Sequence, residues 1–319
     1  MKFLFFTDTH IRATNPSSRK DDYLESLKLK FEEVGEIAKE KNVDYILHGG
    51  DLFDRPDVPV RIVGEFANIL NSYNKPIYII AGNHDIYGHN PKTVERSMLG
   101  LLNQINFVKL INFQDPIVLE KENLKVQISG IPYIYDIDSN YKEYYFPKRL
   151  DVVDYHIVMI HSFLIDKPFI DSISHTLIDE IKDVDADIVL AGHYHSGFGV
   201  KRFNDRYFVN PGSLARTYNS TAEVKRIPEV IIIEISNDEI NIDEIKLKSA
   251  KKGEDVFNKN EDRYKIKNEQ IENFKQLIRT SGNLENYNTL EILKEISKEK
   301  NFPKHIVDEA IKRLGEVNE

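Results

Sequence analysis

The sequence predicts a layered α/β fold, and three observations carry that reading. Short apolar runs alternate with amphipathic stretches through the first half of the chain. Strand-like runs then crowd together between residues 106 and 248. The composition, 41% hydrophobic and 30% charged over 319 residues, is that of a globular chain able to bury a core.

The elements follow in order. KFLFF (2–6) reads as a first strand. Residues 22–41 form a helix with Leu24, Leu27, Phe31, Val34 and Ile37 on one face. DYILH (44–48) precedes a helix over 60–73, and PIYII (76–80) precedes one over 92–104. That strand–helix rhythm is the signature of stacked α/β layers. Further strands are expected at 106–111, 117–120, 124–130, 155–160, 187–190 and 206–210, with a hairpin over 229–248. Residues 1–250 therefore read as one layered α/β domain and 251–319 as a linker and helical tail. The polar stretch 249–264 reads as a linker or mobile arm. In the tail, Ile271, Phe274, Leu277 and Ile278 share a face, Thr289–Lys300 forms a second helix, and Pro303 opens a third.

Several function classes are excluded at once. The chain has no cysteine, which removes disulfides, thiolate metal sites and cysteine nucleophiles and fits a cytoplasmic setting. No apolar run approaches the roughly 20 residues of a membrane span. The start, MKFLFFTDTHIR, reads as a strand and not as a signal peptide. A net charge of -9 argues against a simple nucleic-acid-binding module. Neither GxxxxGK[ST] nor GxGxxG occurs.

Five segments place metal-type ligands just beyond a strand-like run. They supply Asp8 and His10, then Asp51 and Asp54, then Asn83, His84 and Asp85, then His161, and finally His193 with His195. Ligands in open α/β sheets bind at the carboxyl ends of strands, so these segments can form one pocket. The i,i+2 spacing of Asp8/His10 and of His193/His195 puts both members on one side of an extended chain. Mixed imidazole, carboxylate and amide donors suit manganese, iron or zinc, and there are enough of them for two ions sharing one carboxylate. Singly, each motif is more often a turn or a cap. Together, in this order, they read as a metal centre. His48 and His156 lie inside strands and read as packed, His175 and His305 as surface residues, and His89 as a solvated loop residue.

The ordered set D-x-H, GDxxD, GNHD, H and GHxH resembles the calcineurin-like metallophosphoesterase superfamily. The resemblance implies a four-layer α/β/β/α sandwich, followed here by a short helical C-terminal extension. It implies that Asp8, His10, Asp51 and His195 hold one divalent ion, and that Asp51, Asn83, His161 and His193 hold the other. It gives His84 a catalytic place beside the metals, Asp85 the orienting of His84, and Asp54 a supporting place behind the ligands. Two such cations generate a bridging hydroxide near neutral pH. GGDLFDRPDVP, AGNHD and NPGSLAR (210–216) are similar to the SbcD-type DNA-repair nucleases. That branch implies manganese, DNA as substrate, exonuclease or endonuclease activity in repair or recombination, a homodimer, and an SbcC-like ATPase gripped by the tail. Segment 201–226 carries six basic against two acidic residues, and the loop 11–22 adds Arg12, Arg19 and Lys20. Arg12 and Arg216 of these segments, with Arg55 of the GDLFDR run, are the expected phosphate contacts. The competing expectation is a phosphodiesterase or phosphatase acting on small nucleotides or phosphoproteins. A non-catalytic scaffold is disfavoured because no ligand is missing.

Overall fold

The computed structural model describes residues 1–169 and 173–258. The expected helices at 271–278 and 289–300 and after Pro303, and with them His305 and the partner-gripping tail, lie outside the described residues.

Two six-stranded sheets pack face to face. The first contains β1 (Lys2–Phe6), β2 (Tyr45–His48), β3 (Ile77–Ile79) and β4 (Lys109–Leu110), all parallel, with β13 (Glu229–Ile235) and β14 (Ile240–Lys246) added antiparallel beside β1. The second runs β5 (Ile117–Lys121), β6 (Leu124–Ile131), β7 (Tyr155–Ser162), β10 (Ile188–His193), β12 (Arg206–Asn210) and β11 (Gly199–Phe203). Its interior strands are parallel and its two edges antiparallel. A small pair, β8 (Leu164–Ile165) and β9 (Thr176–Leu177), lies in a connection.

The apolar runs are continuous because both faces of each sheet are covered. In β1, Phe3 and Phe5 point between the sheets, where they meet Leu47, Val126, Ile128, Ile157, Met159, Ile188 and Leu190. Leu4 and Phe6 point the other way, onto helices α1 (Tyr23–Glu40) and α2 (Val60–Ser72). Asp22 caps α1 by accepting from the Glu25 amide at 3.0 Å, and the helix buries Leu27, Phe31, Val34 and Ala38. The expected helix at 92–104 is split. A 3₁₀ segment, Pro91–Arg96, ends at Ser97, whose hydroxyl accepts from Gly100 N at 3.2 Å and starts α3 (Met98–Gln104). The outer layer over the second sheet is mostly loop. Ile137, Tyr145, Leu164, Ile178, Ile181 and Val184 cover Ile131, Val158, Ile160 and Val189 there, and its helical pieces are as short as Tyr141–Tyr144 and Ile178–Glu180. Among the described residues no helix is long and apolar enough to cross a membrane.

One expectation is corrected here. The start of the polar stretch at 249–264 is not a free arm. Val256 and Phe257 are buried, Val256 O accepts from Lys20 N at 3.0 Å, and Asn258 N donates to Ser18 O at 3.0 Å. Polar composition concealed a strap held mainly by backbone bonds, which any side chain permits.

Candidate metal centre

The carboxyl ends of the parallel strands in both sheets meet at one place. Asp8 follows β1, Asp51 follows β2 and Asn83 follows β3, while His161 lies near the end of β7 and His193 ends β10. Loop backbones are stitched together around them. Asp8 N donates to Gly50 O at 3.1 Å, and Thr9 Oγ1 donates to Leu52 O at 2.9 Å. Ser213 Oγ donates to Asp8 O at 2.7 Å, and Ser213 N donates to His195 O at 2.9 Å. The NPGSLAR loop thus ties the first strand of one sheet to the last ligand of the other.

Donor atoms of Asp8, His10, Asp51 and His195 lie within 4.8 Å of one another, as do those of Asp51, His161 and His193. His10 Nε2 is 3.0 Å from His195 Nε2 and 3.7 Å from Asp51 Oδ2. Asp51 Oδ2 is also 3.4 Å from His161 Nε2, which is 3.2 Å from Asn83 Oδ1 and 3.2 Å from His193 Nδ1. Such spacings between neighbouring donors suit cations bonded at about 2.0–2.2 Å. One oxygen, Asp51 Oδ2, faces both groups, while Asp51 Oδ1 accepts from His84 N at 2.8 Å. His161 Nδ1 sits 2.8 Å from Gly49 O, which keeps its proton there and leaves Nε2 as a lone-pair donor. The residues therefore fit two divalent cations with a shared carboxylate.

The ligand backbones are themselves unusual. Asp8, His10, Asp51 and His193 all have positive φ, at 53°, 43°, 53° and 76°. Non-glycine residues in that region are uncommon and cluster at functional sites. The close approach of loops explains one glycine. A Cβ on Gly82 would collide with Asp51 N and Oδ1. Gly82→Ala is expected to displace the shared carboxylate and weaken metal affinity about 10–100-fold, as removal of supporting contacts does. Calorimetric titration with manganese, beside an unchanged far-ultraviolet spectrum, checks it.

Charge in the metal-free pocket is divided. Burial opposes a proton on His161, but the Asp51 carboxylate overrules it and lifts the imidazole to about 9. Burial, with the His161 charge, pushes His193 down to about 3. Burial would raise Asp8, yet its contacts with His195 and His161 hold it below the usual carboxylate range. A protonated His161 imidazole stands where a cation would bind, so metal binding there must release a proton.

His84 lies half-buried beside this pocket, its ring edge-on to His10 at 4.8 Å. Enclosure works against its proton, but Asp51 and Asp54 prevail and raise its pKa. Asp85 does not orient it. The Asp85 carboxylate accepts from Gly82 N at 2.9 Å and Phe53 N at 3.0 Å, which clamps the GNHD turn to the GDxxD loop. Burial and the neighbouring Asp51 raise Asp85 to about 7. The partner of His84 Nδ1 is the backbone carbonyl of Asp54, 2.9 Å away. Asp54 thus supports two histidines, with its carboxylate also 3.7 Å from His10 Nδ1.

The expected phosphate contacts divide. Arg12 is at the rim, 3.2 Å from Asp54 Oδ2, and Arg55 is exposed and paired with Asp57. Arg216 is corrected. It is 1% exposed, and its guanidinium donates to Arg226 O and Lys251 O, so it holds the strap and cannot reach a substrate. The basic segment is likewise not one open patch. Arg226 pairs with Glu223, Lys201 with Asp166 and Arg202 with Asp205.

Among the described residues the other histidines keep away from the candidate ligand set. His48 is buried, its Nδ1 accepting from Gly50 N at 3.2 Å. His175 is half-buried against Phe163 and Phe169 and not on the open surface, and His89 is half-buried against Tyr133. His156 is buried with Ser129 Oγ at 2.8 Å, and burial lowers its pKa from the ordinary 6.5. The unfolded chain then binds the extra proton first. This contribution to stability is complete above pH about 6.5 and is lost as pH falls below it. Melting temperatures followed from pH 7.5 to 5.5 (values of about this range, set around the unperturbed histidine) should fall more steeply for wild type than for His156→Gln.

Comparison with known proteins agrees with this geometry. The family described as calcineurin-like phosphoesterase matches residues 1–197. DNA double-strand break repair protein Mre11 of Methanococcus maripaludis is 29% identical over 240 residues, covering 72% of this chain and 59% of that protein. The Mre11 of Thermoplasma acidophilum is 27% identical over 261 residues, covering 78% and 66%. The chain thus spans less than two thirds of the length of these relatives. Among solved structures, "GAP50 the anchor in the inner membrane complex of Plasmodium" superposes with a TM-score of 0.50 at 15% identity, covering 79% of this chain and 86% of that one, a likeness of fold. With its ligand-bearing loops gathered where the two sheets meet, the chain belongs to the calcineurin-like phosphoesterase family.

Proposed function

We propose that this protein is a manganese-dependent phosphodiester hydrolase acting on DNA, an SbcD-like exonuclease or endonuclease of repair or recombination. The observation that carries the hydrolase reading is Asp51 Oδ2 facing two donor groups while His84 stands at their side. Asp8, His10, Asp51 and His195 would hold one cation, and Asp51, Asn83, His161 and His193 the other. When bound, such a pair supplies Lewis acidity toward the phosphate and toward water. The chain's own residues do the rest. Asp51 fixes His84 N, the Asp54 carbonyl fixes the His84 ring, and a His84 whose pKa is raised by Asp51 and Asp54 is suited to the departing oxygen or to equatorial charge.

DNA as substrate is supported by the names of the Mre11 relatives, which align with about three quarters of this chain. A homodimer and an SbcC-like ATPase partner belong to the same reading, with a cytoplasmic setting.

Purified protein with manganese is tested on an end-labelled duplex, a single-stranded control and a panel of small phosphodiesters, beside His84→Ala. DNA degradation that disappears in the variant supports the proposal. Turnover of small esters with DNA left intact overturns it in favour of a small-substrate phosphodiesterase.

A further inference from the structure

Tyr133 was not singled out by any motif. It lies two residues beyond β6, whose register places Ile131 beside Ile160, next to His161 on β7. Its amide donates to Ala81 O at 2.9 Å, pinning it to the loop that carries Asn83 and His84. Its ring is tilted against His193 at 5.9 Å and against His89 at 5.6 Å. The residue is 3% exposed, and its hydroxyl is buried without a hydrogen-bond partner among the described residues.

That hydroxyl calls for an explanation. Buried polar groups in native proteins are nearly always paired, and an orphan calls for a water, an ion or a ligand. Phenylalanine would fill the same space without that cost. The ring lies against His193, one of the clustered donors, and a phenol O–H is a donor of the right kind for a phosphate oxygen.

We infer that Tyr133 is a substrate-contacting residue whose hydroxyl donates to a non-bridging oxygen of the phosphoryl group seated beside His193. The inference rests on the phosphodiesterase reading of the site. Contacts of the ring with His193 and His89 set the direction of the O–H.

The test is Tyr133→Phe, which removes one oxygen and nothing else. Inorganic phosphate binding to the manganese-loaded protein is measured by calorimetry, separately from turnover. Metal stoichiometry and the melting temperature of the metal-free protein are followed in parallel. The expected result is phosphate affinity weakened about 10–150-fold, the effect of one hydrogen bond to a charged group. Metal stoichiometry should stay unchanged, and metal-free stability should be equal or higher. Phosphate affinity unchanged by the substitution overturns the inference, as does failure of the wild type to bind phosphate. A wild type that binds phosphate through Tyr133 but hydrolyses no diester would sink the hydrolase reading and leave this contact standing.

Discussion

Asp51→Asn should abolish hydrolysis and metal binding together. The asparagine oxygen can still accept from His84 N, so the GNHD turn keeps its anchor. What is lost is Oδ2, which lies 3.7 Å from His10 Nε2 and 3.4 Å from His161 Nε2. An amide NH₂ there carries no charge and offers no lone pair to either cation. Metal chemistry supplies several kcal/mol toward the transition state. At about 1.4 kcal/mol per tenfold, the rate should fall by about a thousandfold or more. Calorimetry should show neither manganese site filling at micromolar metal. The metal-free variant gives an independent reading. Burial opposes a proton on His161 and Asp51 holds it to about 9, so without that carboxylate His161 should release it at lower pH. Imidazole NMR titration reports this, and an unchanged His161 titration would contradict the assigned pairing.

His84→Ala should separate binding from rate. The side chain touches the Asp54 carbonyl and the His10 ring and does not belong to the two groups built around Asp51. Manganese stoichiometry should therefore persist. General acid contributions are about 10²–10⁴-fold, and kcat should fall within that range with KM little changed. The size of the loss should depend on the leaving group. A nitrophenyl ester departs without help, so its hydrolysis should suffer less than that of an alkyl ester or of DNA. Equal losses for both would show that His84 stabilises charge on the phosphoryl group and does not protonate the leaving oxygen. Loss of metal in the variant would make it a ligand and overturn the assignment.

The site was more legible in the sequence than its supports were. Asp8, His10, Asp51, Asn83, His84, His161, His193 and His195 sit in short motifs at strand ends, and strand direction is readable from apolar runs. What those motifs conceal is where a side chain turns after the strand stops. Asp85 follows His84 in the chain, yet its carboxylate turns back onto Gly82 and Phe53. Arg216 looked available because its segment is basic, but its position depends on contacts with Arg226 and Lys251, reached only through the tertiary fold. Tyr133 carried no signal, since one aromatic after an apolar strand looks like core. In the fold, the long buried strands and α1 were readable from periodicity. The two-residue pairs β8 and β9, and β11 with its mixed burial, present no pattern to read.

The left-handed backbone at Asp8, His10, Asp51 and His193 has a consequence for how this protein can change over generations. Each position screens replacements twice, once for a donor atom and once for a main chain that β-branched residues resist. Asparagine and glycine pass the second screen while failing or weakening the first. Drift that discards the chemistry can therefore proceed through those two residues with the loops intact. Valine, isoleucine or threonine at the same places would unsettle the junction of the sheets as well. A descendant that kept this architecture as an inert platform would be recognisable by asparagine or glycine at the former ligand positions.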